Sequence, residues 1–523
     1  MGRKSMKKSY GLLVCVMLLL TLTMSSLPVS VKASTITLTI ISPHPSEIKD
    51  EYTRAFKDYY FSLTGNNVSI TWIDVGGTSN IINYVDSQFA ANGEATCNID
   101  IWWGGGVDPF IAEKAKGHLY SYQVNSTLLS LIPSNISGIP MYDSDYAWYG
   151  TALSGFGIIY NKVVIAAQGL PTPKTWEDLT NPKLKTWVGS ADPRYSGSTH
   201  MCYELMLQAY GWQEGLRIAT LLGANVKSWP TSSSAIPKSV SSGDIAYGLC
   251  IDYYAWAEIA KVGANKIGYV LPSGNATVIN PDSIAILKGA PNLDLAKTFV
   301  DYVLSPTGQK LLMLPTGVPG GPTTKVLGRM SILPSLYTQL GNQTIVPLNP
   351  FTVKAMTNYN ATKGSLRYSL VNDLIGSMII DSKDKITSVW GEIISANTTF
   401  INAGRTPSTR ISDAITMMCN TPITEAQGLS LGASWDINAT LRNAKITEWH
   451  TYALAKYDNA SSLAKLASLE LVTYFNSLID QLNTDKTNNL YIGLGGGTVL
   501  GVVIGVGVYF FIARRKEIAA VKA

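Results

Sequence analysis

The chain has 523 residues, 46% of them hydrophobic and 15% charged, which excludes a mainly disordered protein and points to about two to four domains of ordinary size. Its formal net charge of +5 sits at the two ends: Arg3, Lys4, Lys7, Lys8 and Lys32 near the start, Arg514, Arg515, Lys516 and Lys522 near the finish. The rest carries 32 basic and 35 acidic side chains, so it lacks the basic face that a nucleic-acid binder needs to displace phosphate counterions.

In chain order, basic Arg3 to Lys8 precede an apolar run from Leu12 to Leu22, and Val31-Lys32-Ala33 supplies a small-residue cleavage site. Residues 1–33 therefore read as a secretory signal peptide; the apolar run is short for a retained anchor. Cys15 lies inside that run rather than after it, which argues against a lipid-anchored cysteine. Ile36, Leu38 and Ile40 alternate as a strand, and Ile48, Tyr52, Phe56 and Tyr59 follow at helical spacing. Val68, Ile70 and Trp72 alternate again. Gly76-Gly77-Thr78-Ser79 forms a turn into a helix through Ile81, Ile82, Val85 and Phe89, and Ile99 to Trp103 make a third strand ending in Gly104-Gly105-Gly106. A βαβαβ order predicts a largely parallel sheet with helices on both faces, with ligands outside the carboxyl ends of the strands. His44, Gly77 to Ser79 and Trp103 to Gly106 share that rim.

A second α/β unit is expected from about Trp187: a strand at Val188, a helix through Met201, Leu205 and Ala209, and a strand from Ile245 to Ile251 that ends in Asp252-Tyr253-Tyr254. Ile284 to Leu287 returns as a strand and Leu295 to Leu304 as a helix. Chain crossings near 150–156 and 270–285 would leave a cleft between two lobes, where small-molecule sites concentrate. Beyond about residue 345 the pattern is helical. Ile386, Val389, Trp390, Ile393 and Ile394 mark one buried face, and Leu471, Phe475, Leu478 and Leu482 another. These helices either pack on a lobe or form a stalk. Tyr491 to Ile512 holds no charge and, at about 1.5 Å per residue, is long enough to cross a bilayer. The Arg514-Arg515-Lys516 run behind it stays cytoplasmic. Gly493, Gly497, Gly501 and Gly505 line one face of that span, a spacing shared by helix-contact stripes and by glycine-rich lone anchors.

Nine N-x-Ser/Thr sequons, beginning at Asn67, Asn125, Asn135, Asn275, Asn342, Asn360, Asn397, Asn438 and Asn459, agree with an exterior body. Cys97, Cys202, Cys250 and Cys419 remain after signal removal, and their spacing matches no zinc motif. No G-x-S-x-G elbow, H-E-x-x-H or P-loop is present, so the chain does not read as an enzyme. A structural or adhesive surface protein is the alternative of another class. It would call for repeated β-sandwich strands, and the α/β alternation differs from that.

Several segments together carry a family resemblance: Ile41-Ser42-Pro43-His44, Asp100-Ile101-Trp102-Trp103-Gly104-Gly105, Gly157 to Lys162, Leu170 to Leu179 and Ala191-Asp192-Pro193 with Ser196-Gly197-Ser198. Ala296 to Tyr302 and Ser305-Pro306-Thr307-Gly308-Gln309 complete the series. Over roughly residues 35–380 the chain resembles the solute-binding proteins of ABC importers, in the branch of ferric-iron, phosphonate and sugar-phosphate binders. The resemblance implies a two-lobed type II periplasmic-binding-protein fold that closes on its ligand by a hinge and then docks on a permease with its ATPase. To it the sequence adds a C-terminal helical extension and one transmembrane helix. The expected organisation is signal peptide 1–33, first part of lobe 1 34–150, lobe 2 151–283, return to lobe 1 with C-terminal helices 284–384, helical extension or stalk 385–489, membrane anchor 490–513 and cytoplasmic tail 514–523. That arrangement, with the lobes outside a single membrane, suits an archaeon.

The candidate ligand-binding residues are His44, Gly77, Thr78, Ser79, Trp103, Gly104, Ser196, Gly197, Ser198, Thr199, Asp252, Tyr253 and Tyr254. Ser196 to Thr199 and Gly76 to Ser79 lie at helix N-termini, where free N–H groups, hydroxyls and the helix dipole favour an anion; plain capping explains the same residues. Asp252 is placed either to accept hydrogen bonds from sugar hydroxyls or simply to end its strand. Of Trp102 and Trp103 one should face the core and the other the rim. His200 either donates to an anion or sits on the helix surface, and His118 and His450 show no partner in sequence. The resemblance also implies that in ferric-iron relatives an adjacent tyrosine pair and a histidine supply ligands, matched here by Tyr253, Tyr254 and His44. The glutamate those relatives carry after the third strand is replaced by Gly104-Gly105-Gly106. The expectation is therefore a small anionic solute, with no cofactor and no resident metal, and ferric iron as the alternative.

Overall fold

The computed structural model describes residues 35–353 and 358–488. The expected signal peptide, the membrane anchor with its glycine stripe and the cytoplasmic tail lie outside the described residues. Among the described residues no helix is long and apolar enough to cross a membrane.

Strand β1 (Ile36–Ile41) leads through helix α1 (Ser46–Thr64) to β2 (Val68–Ile73), and α2 (Thr78–Ala91) leads to β3 (Ile101–Trp103). Both β2 and β3 run parallel to β1, with Ile36 opposite Val68 and Ile40 opposite Ile101, as a βαβαβ order requires. Helix α1 buries Ile48, Tyr52, Phe56 and Tyr60, one stripe at intervals of four, and Phe56 meets Phe299 edge-on at 4.9 Å. Each such side chain removed from water contributes about 1.5–3 kcal/mol. Helix α3 (Val107–Ala115) follows β3 on the rim.

The 13-residue strand β4 (Tyr149–Asn161) joins the two halves of the molecule. Beyond it come β5 (Val188–Gly189), α4 (Gly197–Tyr210), α5 (Trp212–Asn225), β6 (Val226–Ser228), β7 (Tyr247–Ile251), α6 (Asp252–Val262) and β8 (Ile267–Val270). The far half of β4 pairs with β7 and β8 in lobe 2. Its near half pairs with β9 (Ile279–Leu287), which in turn pairs with β3 of lobe 1. β9 starts earlier than the expected Ile284, because Asn280-Pro281-Asp282-Ser283 reads as a turn but is buried strand. The register shifts between Asp282 and Ser283, a bulge of the kind that re-aims a side chain. Helix α7 (Leu293–Leu304) covers lobe 1, and the short β10 (Met330–Ser331) pairs with β4.

The C-terminal helices pack on lobe 2 rather than forming a free stalk. They are α8 (Tyr368–Ile375), α9 (Lys383–Asn402), α10 (Thr409–Cys419), α11 (Glu425–Trp435) and the 50-residue α12 (Ala439–Asn488). Trp390 of α9 donates its indole N–H to Asn225 Oδ1 at 2.8 Å, and Trp212 of α5 donates to the Ile423 carbonyl at 3.0 Å. Arg367 and Glu204 form a fully buried ion pair at 2.7 Å. Ala453, Tyr457, Ala460, Ala464, Ala467 and Leu471 of α12 are buried in steps of three and four, and the stripe continues through Phe475. Residues 368–380 pack with this layer, although the sequence groups them with 284–384. Cys97, Cys202, Cys250 and Cys419 are all free and buried.

Candidate ligand-binding site

A cavity of about 950 Å³ lies between the lobes, walled by the carboxyl-end loops of both sheets. The Pro43-His44-Pro45 turn after β1 puts His44 on the lobe 1 wall. Gly104 and Gly105 follow β3 with φ of 116° and 123°, a backbone that L side chains rarely adopt. That turn aims the Gly105 N–H at Asp282 Oδ1, 2.6 Å away. Tyr253 and Tyr254 occupy the first turn of α6 on the lobe 2 side, and Arg329 enters beside them just before β10.

These groups form one network at the base of the cavity. Asp282 Oδ2 lies 2.7 Å from His44 Nε2 and 2.8 Å from Arg329 Nη1. The Arg329 guanidinium stacks 4.3 Å from the centre of the Tyr253 ring, a cation–π contact strengthened by burial. Arg329 is only 3% exposed. Burial alone would raise the Asp282 pKa, but Arg329 and His44 outweigh it and hold the carboxyl well below the usual carboxylate range. Burial lowers the His44 pKa, against the opposing pull of Asp282, and raises the Tyr253 phenol well above its ordinary value. Arg329 Nε, His44 Nδ1 and His200 Nε2 are buried without a hydrogen-bond partner among the described residues, and all three side chains belong to residues that line the cavity.

Of the expected site residues, His44, Gly77, Thr78, Ser196, Gly197, Ser198, Tyr253 and Tyr254 line the cavity. Five do not. Trp103 is buried and donates to Thr151 Oγ1 at 2.8 Å; Trp102 is buried as well, so neither indole faces the rim. The backbone of Gly104 is packed against Pro43. The Ser79 hydroxyl donates to the Pro193 carbonyl at 3.1 Å. The Thr199 hydroxyl donates to Ser196 Oγ at 3.1 Å. The Asp252 carboxylate accepts the N–H groups of Gly155 and Tyr253 at 2.6 and 2.7 Å, fixing α6 to the crossing strand. Ser196 caps α4 by accepting from the Thr199 N–H, so here capping is what the structure displays.

The two serine/threonine turns also face each other. A Cβ on Gly77 would stand 2.0 Å from the Tyr195 carbonyl oxygen, and one on Gly197 2.8 Å from Thr78 Cβ. Only glycine permits the lobes to meet this closely. Residues beyond the sequence expectation complete the wall: Asp282, Arg329, Asn280, Tyr368 and the Thr231-Ser232-Ser233-Ser234 run. Ser198 donates to Ser233 Oγ at 2.8 Å. Lys238 lines the lobe 2 side and has no ion-pair partner among the described residues. His200 is not a helix-surface residue: it is 0% exposed, with Nδ1 2.7 Å from Asn372 Oδ1. The outlying His118 and His450 do find partners, in Glu113 and Glu94 for the first and the Ser377 carbonyl for the second.

Two lobes on crossing strands with a polar cavity between them define the periplasmic-binding-protein class of fold. Solved structures agree. The periplasmic binding protein AfuA from Actinobacillus pleuropneumoniae, with fructose-6-phosphate bound, is 20% identical at a TM-score of 0.53, covering 68% of this chain and 98% of that one. Apo ferric ion-binding protein A from Pasteurella haemolytica is 16% identical at a TM-score of 0.51, covering 66% and 98%. At these identities the likeness is one of fold.

Residues 100–328 match the family model described as bacterial extracellular solute-binding protein, and together with the fold this supports an ABC-type solute-binding protein. The phosphoglycerate transport regulatory protein PgtC of Salmonella typhimurium is 29% identical over 161 residues, 31% of this chain and 39% of its own length. Iron uptake protein A1 of Synechocystis sp. is 26% identical over 189 residues, 34% of this chain and 51% of its own length. The chain thus spans about two-fifths to one-half of the length of these two curated relatives.

Proposed function

We propose that the protein is the extracellular receptor of an ABC importer and captures a small anionic organic solute between its lobes. The observation that carries this reading is Arg329, a buried guanidinium lining the inter-lobe cavity, whose Nε has no hydrogen-bond partner among the described residues. Thr78, Ser233 and Lys238 add hydroxyl and ammonium donors to the same cavity. A cavity of about 950 Å³ is of the size that encloses a small organic ligand. The names of a relative concerned with phosphoglycerate transport and of a structural neighbour with fructose-6-phosphate bound make phosphorylated organic acids and sugars the first class to test. Eight of the nine sequon asparagines are exposed, Asn397 being half-buried, which suits a glycosylated exterior body. Anchoring through residues 490–513 and delivery to a permease complete the reading.

Ferric iron is the second reading, favoured by His44, Tyr253 and Tyr254 sharing one cavity. Three features weigh against it. Burial disfavours the phenolates, His44 Nε2 is committed to Asp282, and the Arg329 cation stands beside both candidate ligand types. Titration calorimetry against phosphorylated sugars, phosphoglycerate and inorganic phosphate, with chelated ferric iron followed by visible absorption, separates the two. Heat of binding with a phosphorylated solute and no visible band is the expected result. A stoichiometric band lost in Tyr253→Phe would replace the anion reading with the ferric one.

A further inference from the structure

The helical layer is bolted to lobe 2 by the Arg367–Glu204 pair and by Arg194, which bridges to Asp381 at 2.8 Å. From this platform residues 358–368 reach across to lobe 1. The Tyr359 hydroxyl donates to Asp108 in the first turn of α3, both groups buried. A Cβ on Gly364 would stand 2.6 Å from Asp108 Oδ2, so the backbone of this stretch rests directly on that carboxylate. Further on, the Tyr368 hydroxyl lies 3.2 Å from Ser79 Oγ of lobe 1, while its ring packs 3.7 Å from His200 of lobe 2. Both tyrosines stand C-terminal to the matched residues 100–328. Rotation about β4 and β9 that opens the cleft has to carry Asp108 and Ser79 away from a platform fixed to the other lobe.

We propose that residues 358–368 are a latch: Tyr359 and Tyr368 tie lobe 1 to the lobe 2 platform and hold the cleft shut, so that opening breaks both contacts. The proposal rests on the hinged-lobe reading above, but its test needs no knowledge of the solute. Spin labels on Lys57→Cys in lobe 1 and Gln168→Cys in lobe 2, both exposed positions, report the inter-lobe distance by pulsed electron resonance in the full-length chain without added solute. The double variant Tyr359→Phe/Tyr368→Phe removes the two bridging hydroxyls and keeps the rings. Tyr457→Phe is the control, because the Tyr457 hydroxyl donates to the Met378 carbonyl wholly inside the helical layer. The expected result is a single short distance in the parent and in Tyr457→Phe, and a roughly tenfold larger open fraction in the double variant, the scale of two modest hydrogen bonds. An unchanged distribution in the double variant overturns the latch. Opening to the same extent in Tyr457→Phe also overturns it, because the layer as a whole would then be responsible. Failure of every solute to bind would count against the proposed function and leave these distances unaffected.

Discussion

Arg329 is the one basic side chain in the run Val326-Leu327-Gly328-Arg329-Met330, and its place at the cavity base makes it the residue with most to lose. A charge-assisted hydrogen bond to a ligand is worth about 1.5–3 kcal/mol, so Arg329→Gln is expected to weaken solute binding by roughly tenfold to a hundredfold. Calorimetry on the variant checks this, and unchanged affinity would remove Arg329 from the site. A second residue-scale effect lies away from the cleft. His118 hydrogen-bonds Glu113 at 2.6 Å and Glu94 at 3.0 Å and stacks on Phe89, with Asp86 and Lys116 completing the cluster. Burial alone would lower its pKa, but the two carboxylates outweigh burial and raise it. Asp86 is pushed up to about 6 by burial and by Glu113. In both cases the folded state binds the proton more tightly. The histidine's contribution is therefore complete below its unfolded value of 6.5 and lost as pH rises through the folded one. The melting temperature should fall from about pH 6 to about pH 8, with a shallower slope in His118→Gln. An identical slope in the variant would show that His118 does not titrate in this range.

The same residues show how far the site was legible. His44, Tyr253 and Tyr254 were readable because strand ends fall on the ligand rim. Asp282 and Arg329 were not. Pro281-Asp282 has the composition of a turn, and nothing local in a lone arginine after Gly328 says that a strand pairing 177 residues beyond Leu153 will turn it inward. Ser79, Thr199 and Asp252 lie off the cavity wall because each has a partner within the protein: the Pro193 carbonyl for Ser79, Ser196 Oγ for Thr199, and the Gly155 and Tyr253 N–H groups for Asp252. The Ser79 and Asp252 bonds reach 114 and 97 residues along the chain, which spacing does not reveal.

At the scale of elements, the contact between the N-termini of α2 and α4 is the most sensitive. Gly197→Ala would press a methyl group to within 2.8 Å of Thr78 Cβ, which only a slight parting of the lobes relieves. Alanine is also the better helix former, by about 0.5–1 kcal/mol. The expected outcome is weaker solute binding with an unchanged or raised melting temperature. Lost stability with intact affinity would mean that the contact serves folding rather than closure. The elements themselves were largely readable, since alternation at Ile36 to Ile40 and the fourfold steps of Ile48 to Phe56 are strong periodic signals. The bulged start of β9 was not, because a buried strand carrying Asn, Pro, Asp and Ser contradicts the composition expected of one. The helical layer was legible as helices through Ile386, Val389, Trp390 and Ile393. Its docking on lobe 2 depends on bonds such as Trp390 to Asn225, which join residues far apart in sequence.

For the whole molecule, a two-lobed body with its helical layer stands before a 22-residue uncharged stretch, Tyr491 to Ile512. If that stretch is the anchor, a chain ended after Lys486 should leave the membrane fraction and keep its solute binding; retention in membranes would contradict a single C-terminal anchor. The central claim is that the cleft holds a small organic anion through Arg329. Native mass spectrometry of the purified protein, parent and Arg329→Gln side by side, tests it most directly. The expected spectrum of the parent carries a non-covalent organic anion that is absent from the variant. A parent carrying one stoichiometric iron, or an organic anion retained equally by Arg329→Gln, would contradict it.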